Sequence, residues 1–151
     1  SSAATIPVSM ESTLKNGISK PVASFVIPLC ATIHLSGSMI KLTLYAFAIV
    51  YMANLDISTS TGLGFIFLLG IMMIAAPGVP GGAVMVAAGL LADMMGFDDG
   101  MVALMIAAYI AIDSVGTAAN VTGDGAIAMI VDKFAGSKKD HTEEESAEAT
   151  A

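Results

Sequence analysis

Apolar residues run along this chain in long blocks, interrupted by short polar or Pro/Gly-rich runs. Residues 1–17 read as a serine-rich entry and a short helix, with Pro7 tolerated near its start and Lys15-Asn16-Gly17 at its end. A helix is expected from Ser19 to Ile33, then the small polar run His34-Leu35-Ser36-Gly37-Ser38, then helix again from Met39 to Ala53. Each half is too short to cross a bilayer, which takes about 20 residues, so the two together read as one crossing with a broken middle. After the polar loop 54–61, two half-length apolar helices, Gly62–Ala76 and Ala83–Met95, flank Pro77-Gly78-Val79-Pro80-Gly81-Gly82. Two short arms around such a tip suggest a re-entrant hairpin, because non-helical backbone at membrane depth persists only where protein or water satisfies it. The competing reading is a single kinked span. Gly96–Gly100 is a turn, and Met101–Val131 is expected as one long final span.

Within that last block the only charged residues are Asp113 and Asp124. With Thr117 and Asn120 they are spaced i, i+4, i+7, i+11, which at about 100° per residue puts all four on one helix face. A carboxylate inside a membrane span is costly and usually faces a bundle interior, where it handles a substrate or an ion.

Composition sharpens this picture. The chain is 56% hydrophobic and 13% charged, with a mean hydropathy of +0.82, against roughly 25% charged residues in soluble domains. It is therefore expected to be an all-α membrane protein embedded in the lipid bilayer. The net charge of −7 arises largely from Asp140, Glu143, Glu144, Glu145 and Glu148, in a tail expected to be disordered over 136–151. No basic surface for nucleic acid is present. Lone Cys30 can form no disulfide within the chain. Ser1 and Ser2 with His34 lack the setting of a nucleophile elbow, so no enzyme is expected. The start at Ser1 reads as the middle of an element, so the chain is expected to be the C-terminal portion of a longer protein. Lys15, Lys20, Lys133, Lys138 and Lys139 fall on one side of the topology, while loops 54–61 and 96–100 carry Asp56, Asp98 and Asp99. The lysine side, with the C-terminus, is expected to be cytoplasmic, at the plasma or inner membrane.

Several segments taken together resemble one family. Ser1-Ser2-Ala3-Ala4-Thr5-Ile6-Pro7-Val8 is similar to the serine-rich tip of the inner hairpin in the dicarboxylate/amino acid:cation symporters, the glutamate transporter family. Ile27-Pro28-Leu29-Cys30-Ala31-Thr32-Ile33 resembles the helix before that family's broken segment, Gly78-Val79-Pro80-Gly81 its outer hairpin tip, and Asn120-Val121-Thr122-Gly123-Asp124 the core of its last helix. The resemblance covers about residues 1–135 and implies a C-terminal part of an elevator-type transport domain. Residues 1–17 would be the second arm of the inner hairpin, 18–53 the broken transmembrane helix, 58–95 the outer re-entrant hairpin and 100–132 the last transmembrane helix. The scaffold that makes the family's homotrimer would lie N-terminal to this segment.

The resemblance also implies roles. Asp113 would bind a substrate ammonium, and Asn120 its carboxylate, helped by Ser2, Ser38, Thr117 and the hairpin backbone near Val79 and Ala83. Asn120 and Asp124, with a carbonyl near Cys30, would form one Na+ site; Thr32 with Met73, Ile74 and Ala76 would form another. Carbonyl, amide and carboxylate oxygens suit a hard cation, and broken helices expose them. Two departures stand out. Where acidic-substrate members carry an arginine, this chain has Gly116, which favours a neutral amino acid over an acidic amino acid or dicarboxylate. Where the family has Asn-Met-Asp-Gly-Thr, this chain has His34-Leu35-Ser36-Gly37-Ser38, and Lys41 lies close by. Lys41 is about 20 Å along a helix from Asn54, too far for its stem to snorkel outward. Its ammonium, with His34, is a candidate to replace one coupling cation, so that H+ takes over part of Na+ coupling. The alternative is a structural pairing of Lys41 with Asp113 or Asp124. A degenerate, non-transporting membrane module is the reading of another class, and two costly carboxylates kept on one face argue against it.

Overall fold

The computed structural model describes the backbone of residues 1–148 and the side chains of residues 1–135. After a 3-10 turn at Ala3–Thr5 come α1 (Ile6–Lys15), α2 (Lys20–Ile33), α3 (Ser36–Met52), α4 (Thr59–Ala75), α5 (Gly82–Met95), α6 (Asp99–Ala111) and α7 (Asp113–Glu148). Every regular element among the described residues is helical. Side-chain caps begin two of them: Ser58 accepts a hydrogen bond from the Thr61 amide at 3.1 Å and Asp98 one from the Met101 amide at 2.8 Å.

Lys20–Met52 forms one 33-residue stretch long and apolar enough to cross a membrane. Its break is confined to His34 and Leu35, both off helical geometry. Ser36–Ser38, expected in the gap, already belong to α3. Helices α4 and α5 pack on each other. Between them, Gly81 at φ 73° takes a left-handed conformation that favours glycine, and the chain turns straight into α5.

The expectation of one continuous span over Met101–Val131 is corrected. The helix starts at Asp99, stops at Ala111, and resumes at Asp113 after a bend of 63°. Neither proline nor glycine occupies the bend. A side chain inserts there instead: the Lys41 ammonium takes the Tyr109 and Ile112 carbonyls, one of the recognised causes of a sharp kink. At the far end, where disorder was expected from 136, the backbone is helical to Glu148. Alanine, glutamate and lysine there favour that state. The side chains of 136–151 and the backbone of 149–151 lie outside the described residues.

Two apolar clusters form the core. One joins α3, α4, α5 and α6 through Leu42, Phe65, Leu69, Leu91, Met95 and Met105. The other joins α2 and α7 through Ala23, Val26, Ile27 and Ala128. Buried Ser2, Ser38, Lys41, Asn120 and Asp124 meet along the seam where α7 lies against α2 and α3. Outside, Phe25, Ile40, Leu44, Phe67 and Met85 are more than 60% exposed. Such apolar density on the outer face fits a lipid or protein environment rather than water.

Candidate functional site

The bend at Ile112 makes Asp113 the first residue of α7, so its carboxylate sits at the positive end of the helix dipole. From there Asp113, Thr117, Asn120 and Asp124 descend one face, as their spacing predicts.

Asn120 is 1% exposed and both ends of its amide are engaged. Its Oδ1 accepts from the Gly37 amide at 2.8 Å and the Ser38 amide at 3.4 Å. Its Nδ2 donates to Ser2 Oγ and Ser38 Oγ, each at 3.2 Å. One side chain therefore caps the start of α3 and ties it to the N-terminal serine tip. The helices approach closely at this point: a Cβ on Gly37 would stand 2.5 Å from the Gly116 carbonyl and 2.6 Å from Ala119 Cβ.

Ser2, Ser38, Val79, Ala83, Asp113, Thr117 and Asn120 all line one small cleft, with room for about one water molecule. These are the seven positions that sequence reasoning assigned to the substrate. The cleft is covered where two tips touch, with the Ala3 amide donating to the Gly78 carbonyl at 3.0 Å. Sequence reasoning missed Ser1, Leu35, Pro77, Gly78 and Tyr109, which share the lining. The i, i+4 spacing of Tyr109 and Asp113, which puts both on one face of a continuous helix, was the available signal.

Lys41 stands behind that wall. Its side chain is 7% exposed, and its Nζ lies 3.1 Å from the Tyr109 carbonyl, 3.4 Å from the Ile112 carbonyl and 3.5 Å from Asp113 Oδ1. The ammonium also sits 3.6 Å from the centroid of the Tyr109 ring, within reach of a cation–π contact. Of the two carboxylates considered for Lys41, it pairs with Asp113. His34 goes elsewhere: its Nδ1 lies 2.8 Å from Asp124 Oδ1. Lys41 and His34 therefore belong to separate clusters.

Asp124 is 1% exposed, and its Oδ2 has no hydrogen-bond partner among the described residues. A buried carboxylate oxygen left open is where a cation would fit. The Cys30 carbonyl, one suggested neighbour, accepts from the His34 amide at 2.8 Å. The second suggested cation set is looser. Thr32 turns its hydroxyl onto the Leu29 carbonyl of its own helix at 2.8 Å. Met73 and Ala76 are buried, while the Ile74 side chain is 62% exposed. What adjoins the end of α2 is hairpin backbone, with Gly78 pressed against the Ala31 carbonyl.

A broken apolar span, a second bent span and a polar cleft at their breaks are compatible with a membrane transporter. The sequence profile of the Sodium:dicarboxylate symporter family matches residues 1–134. The chain belongs to that family, whose members are membrane-integral, cation-coupled symporters. No solved structure matches it.

Proposed function

We propose that this chain carries the substrate and cation sites of a symporter that moves a small amino acid, a neutral one by preference, together with Na+. The observation that carries the reading is the cleft that gathers Ser2, Ser38, Val79, Ala83, Asp113, Thr117 and Asn120. It offers a carboxylate at a helix N-terminus for an ammonium, and hydroxyls and tip backbone for a carboxylate. Binding is expected to exchange some of the Asn120 contacts for substrate contacts. The open Oδ2 of Asp124 supports one Na+ position, with Asn120 and the end of α2 as neighbours. Thr32 with the backbone of Met73, Ile74 and Ala76 is the proposed second.

The preference for a neutral substrate rests on Gly116 and Lys41. Position 116 offers no guanidinium, and the Lys41 ammonium has its three N–H donors directed at Tyr109, Ile112 and Asp113. Nothing in the cleft lining presents a free cation to a second carboxylate. The family's description names dicarboxylates and favours the second reading, an acidic amino acid or dicarboxylate as substrate.

In this reading 1–17, 18–53, 58–95 and 100–132 move together as part of an elevator-type transport domain. The 58–95 hairpin is re-entrant from outside, and the intact protein is a homotrimer. The test is uptake by the intact protein in proteoliposomes, from a mixed amino-acid pool, with and without an inward Na+ gradient. Sodium-driven uptake of a neutral amino acid is expected. Uptake of aspartate or a dicarboxylate instead would replace the neutral reading with the second one. Uptake that follows pH and ignores Na+ would make H+ the coupling ion.

A further inference from the structure

We propose that the Lys41 ammonium is a resident cation, tethered in a nest that would otherwise take a mobile one, and that the symport proposed above runs with this position permanently filled. The nest is built at the bend between α6 and α7. The Tyr109 and Ile112 carbonyls come from the end of α6, the negative end of its dipole, and the Asp113 carboxylate from the start of α7. The Tyr109 ring closes a further side. Two main-chain carbonyls, one carboxylate and an aromatic face form a site for a compact monovalent cation. An ammonium on a four-carbon stem fills it without leaving a donor over.

Space around the nest fits the same reading. A Cβ at position 116 would lie 3.2 Å from Lys41 Nζ and 3.3 Å from Cε. Gly116 is thus the residue whose missing side chain leaves room for the lysine head. The pair also fits the bend, since the ammonium gives the Tyr109 carbonyl a donor where the helical ladder is interrupted and shares the Ile112 carbonyl with the Val115 amide.

A tethered charge travels with the protein in both directions and adds nothing to the ions moved per cycle. Removing it should leave a vacant nest that recruits one ion from solution. The experiment uses the intact protein, with Lys41→Met as variant, Lys41→Arg as charge-keeping control and methylammonium as probe. The parent's melting temperature is expected to be indifferent to methylammonium. That of Lys41→Met should start lower and climb by several degrees as methylammonium rises, because a ligand bound only by the folded state stabilises it. Substrate uptake by Lys41→Met should fall at least tenfold and recover with methylammonium or with added Na+. The slope of log Kd for substrate against log Na+ should steepen by about one ion relative to the parent.

A Lys41→Met protein with the parent's uptake and cation dependence overturns the proposal. So does a folded Lys41→Met protein that neither methylammonium nor Na+ restores. Lys41→Gln, whose amide still meets a carbonyl, takes the place of Lys41→Met if the latter does not fold, with the same expected and overturning results. The melting experiment needs no transport, so a parent that fails to transport removes the symport reading while the nest is still decided by the thermal response.

Discussion

Asn120 joins three pieces of chain, the serine tip, the start of α3 and the middle of α7, through one amide. Replacing it by alanine orphans the Gly37 amide and removes the Nδ2 donor from the Ser2 and Ser38 hydroxyls. At about 1 kcal/mol per net hydrogen bond, with an added penalty for the buried orphan, Asn120→Ala should cost about 2–4 kcal/mol. Thermal unfolding of the intact protein checks this, and loss of substrate binding should accompany it. Two glycines on the seam separate a backbone clash from a side-chain clash. A methyl at Gly37 meets the Gly116 carbonyl and Ala119 Cβ, neither free to move. Gly37→Ala should therefore destabilise by about 1–3 kcal/mol. A methyl at Gly123 meets the His34 ring, which can swing aside. Gly123→Ala should fold nearly as well as the parent while separating His34 from Asp124. His34→Ala makes the electrostatic version of that point. It leaves both oxygens of a buried Asp124 carboxylate open, so the variant should lose stability in Na+-free buffer and regain it with Na+ by a larger margin than the parent. Equal Na+ effects on the two proteins would remove Asp124 from the proposed cation site.

At the scale of elements, the tips matter most. The outer tip is held by a backbone hydrogen bond from Ala3 to Gly78 and by the fit of Gly78 against the Ala31 carbonyl. Gly78→Val would drive a branched side chain into that carbonyl. The tip should stand off, and substrate affinity should drop at least about tenfold, the equivalent of 1.4 kcal/mol, while the apolar clusters keep the helices in place. Equilibrium binding of substrate to the variant and the parent checks it, with the melting temperature as fold control. Helix positions were legible in the sequence because apolar blocks and Pro/Gly punctuation carry local information. The Pro77–Gly82 tip is written in residues that end helices, whereas the break at His34–Leu35 was marked only by the small polar run beside it. The bend at Ile112 was not legible, because no local residue causes it. Its cause is Lys41, 71 positions away along the chain and brought in by packing of α3 on α6 and α7. The site followed the same division. The stripe from Asp113 to Asp124 could be read from periodicity and the hairpin partners from resemblance. The pairings His34–Asp124 and Lys41–Asp113 depend on which helices meet.

Over the whole molecule, charge and apolar surface together fix an expected orientation. Two spans have the length and composition to cross, Lys20–Met52 and the bent Asp99–Ala111 with Asp113–Ala135. Thr59–Ala75 and Gly82–Met95 are shorter apolar helices. Helices of 17 and 14 residues extend about 26 and 21 Å, short of a hydrocarbon core of about 30 Å. That shortness suits the proposed hairpin entering and leaving by one face, which would put the loops at 53–58 and 96–98 on that same face. Lys15, Lys20 and Lys133 then gather at the opposite ends of the two spans. Lysine-rich ends stay cytoplasmic because the basic loop resists translocation. In a cysteine-free background of the intact protein, single cysteines at Asp56 and Asp98 should react with an impermeant maleimide added outside cells. Cysteines at Asn16 and Lys133 should react only after the membrane is opened. If Asp56 labels from outside and Asp98 does not, α4 and α5 form one kinked crossing, and the hairpin reading fails along with the placement of its tip over the cleft. If all four labels are reversed, the hairpin stands and the lysine argument fails, because the two faces would have exchanged places with the fold intact.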